Sequence, residues 1–80
     1  AKQEGTMARI QQLFSRESSG LDLPAGFDPQ KTLPFTSMDL VQAAVLLEKE
    51  FGFRFSLAEI TEENFGTLEK ITALVQRKTS

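Results

Sequence analysis

Thr36-Ser37-Met38-Asp39-Leu40-Val41-Gln42-Ala43-Ala44-Val45-Leu46-Leu47-Glu48-Lys49-Glu50-Phe51-Gly52 is the most strongly patterned stretch of the 80-residue chain. Leu40, Ala44, Leu47 and Phe51 recur at helical spacing, and Val41, Ala44, Val45 and Glu48 share an adjoining side. The stretch therefore predicts a helix from Thr36 or Ser37 to Phe51 with a wide buried face. Its ends carry signals of their own. Thr36 and Asp39 stand as a variant of the capping box, in which the hydroxyl accepts a first-turn N–H and the carboxylate lies at the positive end of the helix dipole. Gly52 accepts the left-handed backbone that ends helices.

Downstream, Phe53-Arg54-Phe55 alternates in the extended sense, which puts both rings on one side and makes the segment a connection into the core. Ser56 and Thr61 each precede a short helix-compatible run, predicting one or two brief capped turns before Gly66. Thr67 caps a last helix whose Leu68, Ile71, Leu74 and Val75 recur at helical spacing and whose Arg77 and Lys78 sit at its negative end.

Upstream, Met7, Ile10, Leu13 and Phe14 form one apolar stripe on a helix of about two to three turns. Gln11, Gln12 and Arg16 are expected to face water, and Ser18-Ser19-Gly20 to stop the helix. Leu21 to Phe35 holds Pro24, Pro29 and Pro34 and the turn signals Ala25-Gly26 and Phe27-Asp28-Pro29, so it is a loop. Leu21, Leu23, Phe27 and Leu33 give it apolar anchors and predict that it is ordered against the helices. The expected fold is all-α: an up-and-down bundle of three main helices plus one short helix, a small four-helix bundle in outline, with a long loop between helices 1 and 2. A single domain is expected over residues 1–80, with 1–5 disordered or an appended leftover and 76–80 frayed. Phe14, Phe51, Phe55 and Phe65 are its aromatic core candidates, some of them able to line a cavity.

Composition narrows the chemistry. The chain has no cysteine and no histidine, which removes disulfides, thiolate metal sites and the commonest general base. The absence of tyrosine, tryptophan and a glycine-rich phosphate loop also argues against an enzyme, and Glu62-Glu63, being neighbours, point apart on a helix. The polar start Ala1-Lys2-Gln3-Glu4-Gly5 is no secretory signal, and no apolar run reaches a membrane span, so a cytoplasmic location is expected. Charge is unevenly spread. Residues 1–36 are neutral, 37–69 carry seven acids against Lys49 and Arg54, and 70–80 carry only Lys70, Arg77 and Lys78. The acidic middle is either a solvated face or a surface that steers toward basic proteins, and it repels nucleic acid. A DNA-reading helix should carry a basic stripe, whereas the best helix here is acidic.

Thr36-Ser37-Met38-Asp39-Leu40-Val41 resembles the Asp-Ser-Leu or Asp-Ser-Met signature of the acyl carrier protein family. Leu46-Leu47-Glu48-Lys49-Glu50-Phe51-Gly52 is similar to that family's leucine- and glutamate-rich helix, and Glu63-Asn64-Phe65-Gly66-Thr67-Leu68 to the junction into its last helix. The likeness covers residues 33 to 75, with the first helix and loop agreeing in length and pattern. The resemblance implies an acyl-carrier-protein-like bundle in which a phosphopantetheinyl transferase attaches 4'-phosphopantetheine from coenzyme A to Ser37. The arm's thiol then holds acyl, aminoacyl or polyketide intermediates as thioesters. It also implies a monomer whose second helix docks acyl-loading and acyl-processing enzymes through basic surfaces, with Thr36, Met38, Asp39 and Glu48 near the contact and Glu59 and Glu69 as ordinary surface. Two positions depart from the pattern: the usual aspartate before the serine is Thr36, and the small residues before that are Pro34 and Phe35. The missing carboxylate points to a dedicated transferase.

Ser37 suits an anionic arm, because free backbone amides and the dipole at a helix start favour a phosphodiester. A serine there can equally be a helix cap, but Thr36 can cap by itself. Met38 is either a partner contact or a filler of a core gap. The competing function is an unmodified helical protein-interaction domain with the same fold.

Overall fold

In the computed structural model, residues 2–21, 23, 24 and 26–79 are described. Among them the chain forms three main helices, α1 (Lys2–Ser15), α2 (Ser37–Phe51) and α3 (Leu68–Thr79), with single 3-10 turns at Glu17–Ser19 and Leu57–Glu59 and no strand. The fold is all-α, and its radius of gyration of 11.2 Å meets the roughly 12 Å of a compact chain this long. Helix α1 reaches back to Lys2, past the stretch of residues 1–5 left outside the stripe, and α3 runs on to Thr79. Ala1, Ser80 and the Ala25 half of the Ala25-Gly26 turn lie outside the described residues.

One core joins the helices. Ile10, Leu13 and Phe14 of α1 pack with Leu40, Ala43, Ala44 and Leu47 of α2 and with Leu68, Ile71, Leu74 and Val75 of α3. Helix α1 lies chiefly against α3. The long loop is ordered as its anchors predict: Leu21, Leu23 and Leu33 are buried and Phe27 is half-buried. Its backbone serves the helices as well. The Pro29 carbonyl accepts the Glu69 N–H at 3.1 Å, the Gly66 carbonyl accepts the Leu33 N–H at 2.8 Å, and Thr67 Oγ1 accepts the Lys70 N–H at 3.1 Å. Two of the free amides at the start of α3, those of Glu69 and Lys70, are thus met by the loop and by Thr67, groups a helix cannot pair internally.

The bundle has three helices, not four. The expected fourth is the single turn Leu57–Glu59, after which Ile60 (φ −88°, ψ 77°) leaves helical space. Thr61 then starts a separate turn, accepting the Asn64 N–H at Oγ1 and the Phe65 N–H at its carbonyl. Two side-chain starts so close together leave no run long enough to repay the cost of nucleating a helix.

Other side chains are more engaged than their spacing indicates. Gln11 does not simply face water; its amide donates to the Phe27 carbonyl at 3.1 Å and pins the loop. Ser19, expected only as part of a stop, is buried: its Oγ accepts the Leu21 N–H at 3.1 Å and lies 2.6 Å from the Arg16 carbonyl and 3.0 Å from that of Phe14. Gln42 of α2 donates to the Ser19 carbonyl at 3.0 Å, tying the second helix to the end of the first.

Candidate functional site

Helix α2 begins as a closed capping box. Thr36, with φ −82° and ψ 174°, accepts the Asp39 N–H at Oγ1 (3.3 Å), and the Asp39 carboxylate accepts the Thr36 N–H (2.9 Å). The position of this cap is set from behind. Leu33 is buried and Phe35 is half-buried, its ring meeting Phe14 edge-on at 5.8 Å. Apolar anchors on the loop thus hold Thr36 at the mouth of the helix.

Because Thr36 and Asp39 satisfy each other, the next residue has nothing structural to do. Ser37 is exposed, and among the described residues no group engages its hydroxyl or fills the backbone amides of Ser37 and Met38. A nucleophilic oxygen beside unpaired N–H groups at the positive end of a helix can become an ester of an anionic group with its charge favourably placed. Met38 is 82 % exposed, which decides against its filling a core gap. Val41 (56 %) and Val45 (37 %) follow on the same side, so the wide buried face expected of α2 narrows to Leu40, Ala43, Ala44 and Leu47. Ser37, Met38, Val41 and Gln42 form an open shelf. On the other side of the cap a cleft of about 180 Å3 lies between Thr32, Leu33, Phe35, Leu40, Glu62, Phe65 and Gly66.

Structure gathers Thr36, Ser37, Met38 and Asp39 at one point but leaves Glu48 elsewhere. Eleven residues along a helix place it about 16 Å away. There its carboxylate accepts the Phe55 N–H at 2.8 Å and its carbonyl accepts the Gly52 N–H at 2.9 Å. Gly52 ends the helix in the left-handed conformation (φ 75°, ψ 41°). Other acids are also engaged within the chain. Glu50 pairs with Arg9 at 3.0 Å, the same guanidinium lying 4.5 Å over the Phe51 ring. Glu59 is not ordinary surface: it accepts the Ser56 N–H at 2.8 Å and pairs with Lys78 at 2.9 Å. The Ser56 N–H first, and the Lys78 ammonium with it, hold its carboxyl below the ordinary carboxylate value. Four of the seven acids of the middle segment, Asp39, Glu48, Glu50 and Glu59, are thus engaged within the chain, while Glu62, Glu63 and Glu69 are exposed.

Phe14 and Phe65 are core residues, whereas Phe51 and Phe55 are half-buried. They join Phe53 in a chain of rings ending on Phe65, with centroid separations of 6.4, 4.8 and 5.4 Å. Val41 and Gln42 are the residues beside the serine that spacing alone missed. Two adjoining apolar stripes on one helix signal that one of them can lie outside. Among the described residues no group of three or more acids could hold a metal ion, and no helix is long and apolar enough to cross a membrane. Compared with known proteins, the chain matches no family model, no curated protein and no solved structure.

Proposed function

We propose that this chain is an acyl carrier protein in which Ser37 is the attachment point of a 4'-phosphopantetheine arm. What supports the proposal is the exposed, unengaged Ser37 hydroxyl at the first position of α2, its capping duty taken over by Thr36 and Asp39. The hydroxyl displaces the nucleotide half of coenzyme A, forming a phosphodiester beside the free amides of the helix start. The arm brings the thiol that the chain, without cysteine, does not have. On this reading the helices form a bundle of the acyl-carrier-protein kind, working as a cytoplasmic monomer. It is served by a transferase that accepts Thr36 in place of aspartate, and by acyl-loading and acyl-processing enzymes that contact Thr36, Met38 and Asp39. Glu48 acts through the fold.

The test is intact mass after incubation of the protein with coenzyme A and a panel of phosphopantetheinyl transferases. One arm's mass should be gained, and Ser37→Ala should gain none. No gain with any transferase would sink the assignment. That outcome would favour the second reading, an unmodified protein-interaction domain, which the exposed apolar row Met38, Val41 and Val45 supports.

A further inference from the structure

The outward side of α2 is not polar. Met38, Val41 and Val45 lie across the helix from the buried Leu40, Ala43, Ala44 and Leu47, at the pole where a surface helix ordinarily carries polar side chains. Met38 and Val41 instead line a hollow of about 420 Å3, which Ser37 begins and Gln42 ends in order along the helix. Gln42 is held in a particular way. Its side-chain nitrogen donates to the Ser19 carbonyl at 3.0 Å, which fixes the amide, and among the described residues nothing donates to its Oε1. The hollow thus offers an attachment oxygen, then two uncovered apolar side chains, then a fixed acceptor without a donor, Gln42 standing about 7.5 Å along the axis from Ser37.

Phosphopantetheine presents its groups in the same order. Beyond the phosphate comes a carbon bearing two methyl groups, then a hydroxyl-bearing carbon, then an amide whose N–H is a donor. We infer that this hollow seats the near half of an arm borne on Ser37: the paired methyls cover Met38 and Val41, and the first amide donates to Gln42 Oε1. A weak contact suffices, because a group tethered at Ser37 meets the hollow at an effective concentration on the order of millimolar. Only the near half is held, which leaves the thiol at the far end free to reach other proteins. The inference rests on the proposed arm, yet its test does not need a transferase.

Ser37→Cys creates the chain's sole cysteine, which is alkylated with pantothenamide iodoacetylated on its primary hydroxyl. That linkage sets the paired methyls within one bond of their place on a phosphodiester. In nuclear magnetic resonance, Overhauser contacts should join them to the methyls of Met38 and Val41, and their shifts should depart from those of the free reagent. Met38→Gln with Val41→Ser, both at exposed positions, should return the shifts to the free values. Gln42→Met, which keeps the length but not the acceptor, should return the first amide proton to its free position. A conjugate without contact to Met38 or Val41 overturns the inference, and so do shifts that persist in the double variant. Wild-type protein loaded by a transferase should show the same contacts, and loaded protein lacking them overturns it as well. Failure to load bears on the proposed arm alone, because the conjugate still decides what the hollow holds.

Discussion

The two ends of α2 treat similar residues in opposite ways. At the C-terminal end the polar and charged groups are tied to the fold: Glu48 to the Phe55 N–H, Glu50 to Arg9, Arg9 over Phe51, and the Gly52 N–H to the Glu48 carbonyl. At the N-terminal end Thr36 and Asp39 close on each other, leaving an exposed hydroxyl and an exposed methionine. A small domain has little stability to spare. It can leave one helix end open to another molecule if the remaining contacts hold the helix in place.

The comparison can be broken by substitution, and the largest effect belongs to the tied end. Glu48→Ala leaves the partly buried Phe55 N–H without its acceptor and should cost about 1 to 3 kcal/mol by chemical denaturation. A cost indistinguishable from zero would mean that the far end is no anchor. Thr36→Ala removes half of the capping box and should cost about 1 kcal/mol. Because the helix mouth loosens with it, attachment at Ser37 should also slow in the transferase assay.

A smaller, pH-dependent effect lies just beyond the tied end, at Glu59. Its carboxyl is held below the ordinary value of 4.5 by the Ser56 N–H and then by Lys78, so the stabilisation is complete above that value and is lost as pH falls through the lowered one. Lys78→Met should therefore destabilise the protein at neutral pH and cost progressively less in acid. Equal denaturation midpoint shifts at both ends of that titration would exclude the pairing as their source. The smallest effect is the most pointed. Ser37→Ala should leave stability within about 0.5 kcal/mol of the parent, as expected of a surface position without structural partners. A larger loss would make the hydroxyl part of the fold.

Local chemistry made much of this legible in advance. The bounds of α2, the Thr36–Asp39 capping box, the stop at Gly52, the Thr67 cap and the buried stripe of α3 all depend on residues within a turn or two of one another. The pattern of a few neighbours decides them. The apolar anchors of the loop were legible for a related reason: a chain this short has one core for them to enter.

What the sequence by itself determined, then, is where helices start and stop and which serine stands at the mouth of the best one. Tertiary structure alone decided which of the two adjoining apolar stripes of α2 is covered, sending Leu40, Ala44 and Leu47 inward and leaving Met38 and Val41 outside. It also sent Glu48 to the Phe55 backbone, Gln11 to the loop and the Ser19 hydroxyl into the interior. The physical reason is that burial depends on which distant surfaces meet, and a helical period names the candidate faces without choosing between them.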